Sequence, residues 1–556
     1  MRTWWLWSAA TLVACTSTSD DITGIGSPTG KGGPDVPAGV TLDAAPTAFH
    51  SLTPDQYRNT VRDLLGLADA DVATIKIPID AGGLPSLLTV SKLDDAATQL
   101  TALGAHKKLA PCDVTGAGSD DCAAKFITAF ASKAFRHTVT PDEVAWLTGI
   151  YKQAHQSFGF GDSIDVLTRV MLQSPQLVYV HEEGETRQGL PDGVLGLTSW
   201  ETASRLSYFL WDSMPDDALF AAAAQNQLTG DGLRAQAKRM IADPRARTKI
   251  IEFVTTWTEL DGTAKHVSIE EAVKDPARFP LDNVALRAAV RRETQEFVGK
   301  VWDNGAKVTD LFTSTDAYVN GPLAKLYGLK NGPTGDTWQW TTLPGDQRAG
   351  LATRAAFLLV YANPDIPSPI RRGSAVWREF MCTTFPPPPP AAMDVKVSGG
   401  ETDPSGKPLS IRDTVIAKTT LDPVCSSCHN KVNPAGFAFG HYDALGQWQD
   451  KENGVSPAGV PYSAPIDASG ELVGSDVAGP VDGAVQFSAK LAASRQVKDC
   501  LASRYWRAAF ARDTATQEAS SLKYVQDQLA GSGSFRDALL ALIDSPAFQY
   551  MRKGTP

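Results

Sequence analysis

The sequence predicts a mainly α-helical, multi-domain body that contains one small irregular or β insertion. Apolar residues recur at helical spacing along most of the chain, and almost no stretch alternates with period two. Capping-box patterns mark helix starts, as in Thr140-Pro141-Asp142-Glu143 and in Thr198 with Glu201. Of the 556 residues, 43% are hydrophobic and 21% charged, a globular composition with room for roughly three or four domains.

The N-terminus predicts export. Arg2 precedes an apolar run that extends from Trp4 to Ala14 and is too short to span a membrane, so residues 1–14 are predicted to be a signal peptide. Leu12-Val13-Ala14-Cys15 resembles the lipobox of bacterial lipoproteins, which implies cleavage before Cys15 and lipidation of that cysteine. The alternative is an ordinary signal peptide with an incidental cysteine. The predicted location is the cell envelope, with the lipid in the outer membrane and the body facing the periplasm or the surface.

Composition and local patterns also divide the rest of the chain into segments. Residues 15–47 are rich in Ser, Thr, Gly and Pro and predict a flexible, lipidated tether. Six predicted segments come next: an N-terminal helical motif and loop at 48–121, a three-helix unit at 122–185, a helical domain at 195–330, a helical unit with a C-x-x-C-H motif at 345–450, a Gly/Pro-rich loop or small β element at 451–485, and a C-terminal helical domain at 486–552.

Local signals place helices within the first three segments. Thr53 is a predicted N-cap with Pro54 in the first turn, and Gly66 ends that helix. In the three-helix unit, Pro175 ends the third helix. The helical domain opens with a helix after Thr198, and further helices are predicted at 215–228, 230–242, 245–260, 282–303 and 317–328.

The segment at 345–450 carries the chemistry. RAGLATRAAFLLVYA and SPIRRGSAVWREFMC predict two helices, and Pro386 to Pro390 predict a stiff polyproline strap. A short helix at 411–420 then leads to Cys425-Ser426-Ser427-Cys428-His429, the attachment signature of a c-type haem. In that signature both thiols bond covalently to the haem and the histidine binds the iron from one side. The cofactor prediction is therefore one covalent haem c on Cys425, Cys428 and His429.

Other cysteine chemistry fits less well. Structural zinc prefers four ligands, and only His441 lies near the motif in sequence. An iron–sulfur cluster needs four cysteines, and a thioredoxin-like dithiol belongs in a βαβ context that this sequence lacks. Cys112 and Cys122 flank a short loop that a disulfide would close, and Cys382 with Cys500 remain as a second pair by elimination.

The far side of the iron has only weak candidates. His429 is the predicted proximal iron ligand, and His441 or Met393 are the distal candidates, with Met381 and Met551 behind them. Arg371, Arg372 and Arg412 are candidates for pairing with haem propionates. Asn433 to Phe437 is predicted to turn the chain under the haem, with Phe437, Phe439 and Trp448 sealing it from water, and Asp443 is predicted to orient His429 or to cap a turn.

The order of these motifs resembles a family of exported bacterial proteins built from consecutive domains of unknown function, DUF1587, DUF1595, DUF1592, DUF1588 and DUF1585. The motifs that carry the resemblance are LTPDQYRNTVRDLLGL, AFRHTVTPDEVAWLTGIY, LTSWETASRLSYFLWDSMPDDALF, the helices around PPPPP with CSSCHNKVNPAGFAFGHYDALGQW, and SLKYVQDQLAGSGSFRDALLALIDSPAF. The resemblance implies a cytochrome-c-like site and no particular reaction. Members often carry a histidine six residues before the first haem cysteine, where this sequence has Thr419.

The leading hypothesis is an exported lipoprotein that carries one c-type haem and acts in electron transfer or as a haem-dependent redox partner. The formal net charge is −10, with no Lys/Arg-rich run, so no nucleic-acid partner is indicated; the predicted partners are a membrane, through the lipid, and a redox protein. No nucleophile elbow, H-E-x-x-H or P-loop motif is present, so whether the chain is an enzyme stays open. The alternatives are a helical binding or scaffold lipoprotein in which C-x-x-C-H is structural and, from thirteen Trp residues, a polysaccharide-associated protein.

Overall fold

The structure, a computed structural model of the chain, describes residues 36–46, 50–76, 86–114, 120–263, 266–387 and 397–553. It confirms the mainly α-helical class, because the strands of this part of the chain form only two-stranded antiparallel sheets. No helix in these ranges combines the length and the apolar composition that crossing a membrane requires. The predicted signal peptide, the predicted lipidation site Cys15 and the distal candidate Met393 lie outside the described residues.

The first part of the molecule is a helical unit with its own hydrophobic core. The core runs from Leu52 to Val180 and also includes Tyr208 and Met214 of the next segment, and the predicted segments 48–121 and 122–185 pack as one body around it. Thr53 and Thr140 form the expected capping boxes. The elements are β1 (His50–Ser51), α1 (Pro54–Leu65), α2 (Asp69–Val72), α3 (Leu87–Ala102), α4 (Asp120–Phe135), α5 (Pro141–His155), α6 (Phe160–Leu172), α7 (Pro175–Val178) and β2 (Tyr179–Val180).

A second, larger core extends from Ala203 to Phe548 and joins the later helices except Ile411–Thr419, whose Ile411 and Val415 form a small separate cluster with Ile366 and Phe437. Its first half comprises β3 (Val194–Gly196), α8 (Ser199–Trp211), α9 (Asp217–Ala224), α10 (Gly230–Ile241), α11 (Pro244–Trp257), α12 (Val284–Asp303), α13 (Val308–Thr313), β4 (Asp316–Val319), α14 (Gly321–Leu326) and β5 (Gln339–Thr342). The predicted helix at 317–328 is wrong at its start, because Asp316–Val319 pairs with Gln339–Thr342 and only Gly321–Leu326 is helical.

The second half of this core carries the C-x-x-C-H motif. It comprises α15 (Ala355–Val360), α16 (Pro369–Ala375), α17 (Ile411–Thr419), α18 (Pro423–Phe437), β6 (Lys451–Val455), β7 (Pro461–Pro465), β8 (Ser469–Glu471), β9 (Pro480–Asp482), α19 (Gly483–Ala493), α20 (Arg495–Phe510), α21 (Ala519–Ser532), α22 (Phe535–Asp544), α23 (Pro546–Gln549) and β10 (Tyr550–Arg552). The two hairpins β6–β7 and β8–β9 are the small β element expected at 451–485.

Both expected disulfides are present. Cys112 bonds to Cys122 at the start of α4, and Cys382 bonds to Cys500 on α20. The second bond joins residues 118 positions apart, so it restricts a long stretch of the unfolded chain that includes the C-x-x-C-H motif.

A buried lysine links the loop before α12 to α15. The Nζ of Lys274 donates to the carbonyl oxygen of Leu359 at 2.7 Å, and burial lowers its pKa to about 7, with the nearby Arg372 charge adding to the shift. The folded protein therefore binds fewer protons than the unfolded chain between about pH 7 and the usual lysine pKa of about 10.4. Stability from this group consequently increases as the pH rises through that window.

We expect the free energy of unfolding of the wild type to rise by about 2 kcal/mol, relative to that of Lys274→Met, between about pH 7 and 9, since each full proton difference contributes about 1.4 kcal/mol per pH unit. Urea denaturation of both proteins at the two pH values measures this difference. Parallel pH profiles of the two proteins would contradict the expectation.

Candidate functional site

The C-x-x-C-H motif lies in the N-terminal half of α18, which packs against α16 at very short range. A Cβ atom added at Gly373 would lie 2.0 Å from the carbonyl oxygen of Val432, and one added at Gly436 would lie 1.9 Å from that of Pro369. Only glycine allows two helix backbones to approach this closely. The two glycines thus fix the position of the helix that carries the motif.

The two halves of α18 have different surroundings. Ala435 and Phe437 near its C-terminus are buried, whereas the turn around Cys425 is open to solvent. The prediction that Asn433 to Phe437 turns the chain is wrong, because these residues are the last helical turns, with Pro434 inside the helix. Packing of Gly436 against α16 outweighs the usual tendency of proline to end a helix.

The three expected haem-attachment residues share one side of α18. Cys425 and His429 are four residues apart, and Cys428 is three residues from Cys425, so helical geometry brings their side chains together. Both thiols are free, whereas the other four cysteines of the described chain are paired in disulfides. Two unpaired thiols and an imidazole on one partly open helix face are the donor set that covalent haem attachment uses.

A directional hydrogen-bond chain fixes the ring of His429. Its Nδ1 lies 2.8 Å from Oδ1 of Asn433, whose Nδ2 donates to Oγ1 of Thr419 at 2.9 Å. Oγ1 of Thr419 in turn donates to the carbonyl oxygen of Val415 at 2.6 Å. We name the set His429, Asn433, Thr419 and the Val415 carbonyl the tautomer chain.

The tautomer chain has only one consistent direction. The carbonyl of Val415 can only accept, so the hydroxyl of Thr419 donates to it and accepts from the amide nitrogen of Asn433. Oδ1 of Asn433 therefore faces His429 and accepts, which requires the proton of the neutral ring to be on Nδ1. Nε2 of His429 is left with a free lone pair, the state in which an imidazole binds a metal.

Three exposed apolar side chains lie close to the motif in sequence. Leu421 is 84% exposed, Val424 is 63% exposed and Ile416 is 38% exposed, all within ten residues of Cys425. Exposed apolar side chains of this kind are compatible with an apolar ligand bound nearby.

The distal candidates within the described residues have contacts elsewhere in the fold. Nδ1 of His441 lies 2.9 Å from the carbonyl oxygen of Gln449, and its ring stacks on Trp448 at 4.4 Å. Met381 is buried in the large core, and Met551 is buried in β10, where it pairs with Leu195. Among the described residues, no three His, Cys, Asp or Glu side chains are grouped so as to hold a metal ion directly, which leaves the zinc alternative without its ligand set.

The arginines proposed for propionate pairing are engaged elsewhere. Arg372 is buried, donates to the carbonyl oxygens of Tyr442, Asp443 and Leu358, and has a pKa that burial lowers to about 10. Arg371 donates to the carbonyl oxygen of Ala362. The guanidinium of Arg412 donates to the carbonyl oxygen of Ser469 and lies over the ring of Phe437.

The other expected haem-pocket residues have structural roles. Phe439 is part of the large core, where it packs on Phe357 and Phe487. Asp443 caps a turn by accepting from the backbone N–H groups of Leu445 and Gln447, so the second of its two predicted roles is the observed one.

Asn433 is the site residue that sequence reasoning assigned to the wrong role. It orients His429, the task suggested for Asp443, and it is only 2% exposed. Its spacing of four residues from His429 is the sequence signal for this contact, and it becomes visible only once Pro434 is accepted inside the helix.

Comparison with known protein families gives three matches in order along the chain. Residues 122–182 match the protein of unknown function DUF1595, residues 197–329 match DUF1592, and residues 348–452 match DUF1588. The last match contains the whole C-x-x-C-H helix. No curated protein and no solved structure matches the chain.

Proposed function

We propose, for a chain that carries the DUF1595, DUF1592 and DUF1588 families in that order, that α18 attaches one haem c and that the protein acts in electron transfer or as a haem-dependent redox partner. One observation carries the proposal. The tautomer chain leaves Nε2 of His429 free to bind iron, on the same helix side as two unpaired thiols. The family model over this segment is named PSCyt3, a name that associates it with cytochromes.

The residues have separate tasks in this proposal. Cys425 and Cys428 hold the haem covalently, and His429 is the proximal ligand. Asn433 and Thr419 keep the imidazole in the tautomer with a free Nε2, and the exposed Leu421 and Val424 would offer apolar contacts to the bound group. A haem bound here supplies a one-electron iron couple, whose potential depends on the sixth ligand.

The cell-envelope location belongs to the same proposal. Covalent haem attachment and structural disulfides both occur in exported proteins, and two disulfides are present in the described chain. A lipid on Cys15 would hold the body at a membrane, where a protein redox partner delivers or accepts the electron.

Expression of the full chain together with the haem c maturation machinery tests the proposal. We expect a reduced absorption spectrum of c-type haem that persists after denaturation and solvent extraction, because the thioether bonds hold the group. The double variant Cys425→Ala/Cys428→Ala should lose all covalent haem, whereas Ser426→Ala, which changes a residue between the two cysteines, should keep it.

A wild-type protein without covalent haem under these conditions would overturn the proposal. The scaffold alternative predicts a different result. In that case the double cysteine variant should fold and bind partners as the wild type does. Thermal unfolding of the variant therefore accompanies the spectrum and separates loss of haem from loss of the fold.

A further inference from the structure

A large cavity lies between the first helical unit and the main body, away from the C-x-x-C-H helix. Its volume is about 710 Å³, within the range typical of small-molecule sites. Side chains from α1, α8, α11 and α20 line it, so four elements that are distant in sequence converge there. Junctions between such units are common places for ligand sites.

The charges that line the cavity are almost all compensated. Arg205 pairs with Glu182, Lys249 with Asp212, and Arg512 with Glu518. The two further lining carboxylates are compensated as well, because Asp55 pairs with Arg58 and Asp261 pairs with Arg291. None of these groups needs a ligand to balance its charge.

Glu252 on α11 is the exception. Its carboxylate lines the cavity and, within the described ranges, has neither a hydrogen-bond donor nor an ion-pair partner. Glu252 is an exposed residue; the protein around it nevertheless desolvates the carboxylate in part and raises its pKa, and the nearby charge of Asp212 raises it further. A bound cation would favour the ionised carboxylate, as Lys249 does in part.

Tyr505 on α20 supplies a second, independent observation. The residue is only 6% exposed and its ring packs edge-on against Phe209, Phe253 and Phe535, at centroid distances of 5.4, 4.7 and 5.2 Å. Its side chain lines the cavity, and the hydroxyl makes no hydrogen bond to another described residue. The hydroxyl oxygen is not enclosed by protein atoms, so it opens onto the cavity and is available to a ligand.

We propose that the cavity binds a small organic amine, with its ammonium group at the Glu252 carboxylate and the Tyr505 hydroxyl and its carbon stem along Phe209 and Phe253. An ammonium group donates to both oxygens and supplies the missing positive charge. Aromatic walls suit the carbon stem and attract the cationic end. An anion would face the uncompensated carboxylate, and a neutral alcohol would leave its charge unbalanced.

Three probes with the same six-carbon stem test the charge preference. Hexylamine, 1-hexanol and hexanoate are titrated separately into the full chain, and binding is followed by ligand-observed NMR. We expect hexylamine to bind at least about tenfold more tightly than the alcohol or the acid, because a hydrogen bond to a charged group contributes about 1.5–3 kcal/mol.

Two conservative variants locate the bound amine. Glu252→Gln should weaken hexylamine binding about tenfold, and Tyr505→Phe should weaken it about fivefold, the effect of one ordinary hydrogen bond. Glu183→Gln removes an exposed carboxylate outside the cavity lining and should leave binding unchanged. Thermal unfolding of each variant shows whether it keeps the fold.

The proposal is overturned if none of the three probes binds, or if hexanol or hexanoate binds as tightly as hexylamine. It is also overturned if folded Glu252→Gln binds hexylamine as the wild type does. These outcomes do not involve haem, so they are independent of the function proposed for α18.

Discussion

Replacing Arg354 with methionine is expected to lower the free energy of unfolding by about 3–5 kcal/mol, the usual cost of breaking a buried ion pair by removing one partner. The side chains of Arg354 and Glu293 are 1% and 0% exposed, and they form an ion pair that connects α15 to α12. The guanidinium also donates to the carbonyl oxygen of Asp316 and lies 3.5 Å from the ring centroid of Phe297.

The cost arises from the carboxylate that remains. Oε2 of Glu293 has no hydrogen-bond partner. The bond from Arg354 to Oε1 is therefore the main compensation for the charge of this carboxylate. Burial raises the pKa of Glu293, and the arginine opposes that shift. Without Arg354 the buried group must either stay charged without its partner or take up a proton, and both choices destabilise the fold.

Urea denaturation of three variants distinguishes charge from packing. Arg354→Met/Glu293→Leu should recover most of the loss, because no buried charge is then left unpaired. Arg292→Met removes an exposed arginine from α12 that lies over Trp338, and should cost less than about 1 kcal/mol. The expected role of the pair would be contradicted if Arg354→Met unfolded like the wild type. It would also be contradicted if the double variant were less stable than Arg354→Met.

Local signals predicted the helices well where the chain itself supplies the cap. Thr53, Thr140 and Thr198 each form a capping box with the residue three positions on, all within one turn of sequence. The same reasoning failed at Asp316–Val319, because the strand that pairs with it begins about twenty residues later, at Gln339. Strand pairing depends on a partner that a local pattern does not contain.

The stretch RAGLATRAAFLLVYA shows a second kind of failure. It predicts one continuous helix, yet only Ala355–Val360 is α-helical. Arg348 and Thr353 are fully buried, and each directs its polar atoms at backbone groups of this segment. Those contacts replace the first turns of the helix, since buried backbone groups need partners of some kind.

The sequence predicted which residues of the candidate site would hold a haem, but it did not predict which residues orient them. C-x-x-C-H is a contiguous motif, so spacing alone identifies Cys425, Cys428 and His429. The contact between Asn433 and Thr419 joins α18 to α17 across fourteen residues, and no periodicity reveals it. Thr419, which stands where similar proteins often have a histidine, acts here through Asn433 on the ring of His429.

Asn433→Leu is expected to weaken the binding of iron by His429 about 10- to 100-fold, the range found when the partner of a metal-bound histidine is removed. Leucine keeps the approximate size of the side chain but cannot accept from Nδ1. The imidazole then loses both its fixed orientation and its preference for the tautomer with a free Nε2. In the haem-loaded protein, a correspondingly lower concentration of added imidazole should displace His429, as followed by absorption.

A measurement on the haem-free protein separates this effect from haem attachment. With ¹⁵N-labelled histidine, the wild-type His429 ring should carry its proton on Nδ1 at a pH where it is neutral, and Asn433→Leu should shift the population toward Nε2. Asn430→Leu changes an exposed asparagine on the same helix and should leave the tautomer as in the wild type.

Thr419 extends the same test by one hydrogen bond. Thr419→Val removes the hydroxyl that holds Nδ2 of Asn433, so the amide can rotate and present its nitrogen to His429. We expect a smaller tautomer shift than for Asn433→Leu, and Thr419→Ser should restore the wild-type state because serine keeps the hydroxyl. If His429 keeps its Nδ1 proton in both Asn433→Leu and Thr419→Val, the ring is fixed by packing and the tautomer chain has no part in preparing the iron ligand.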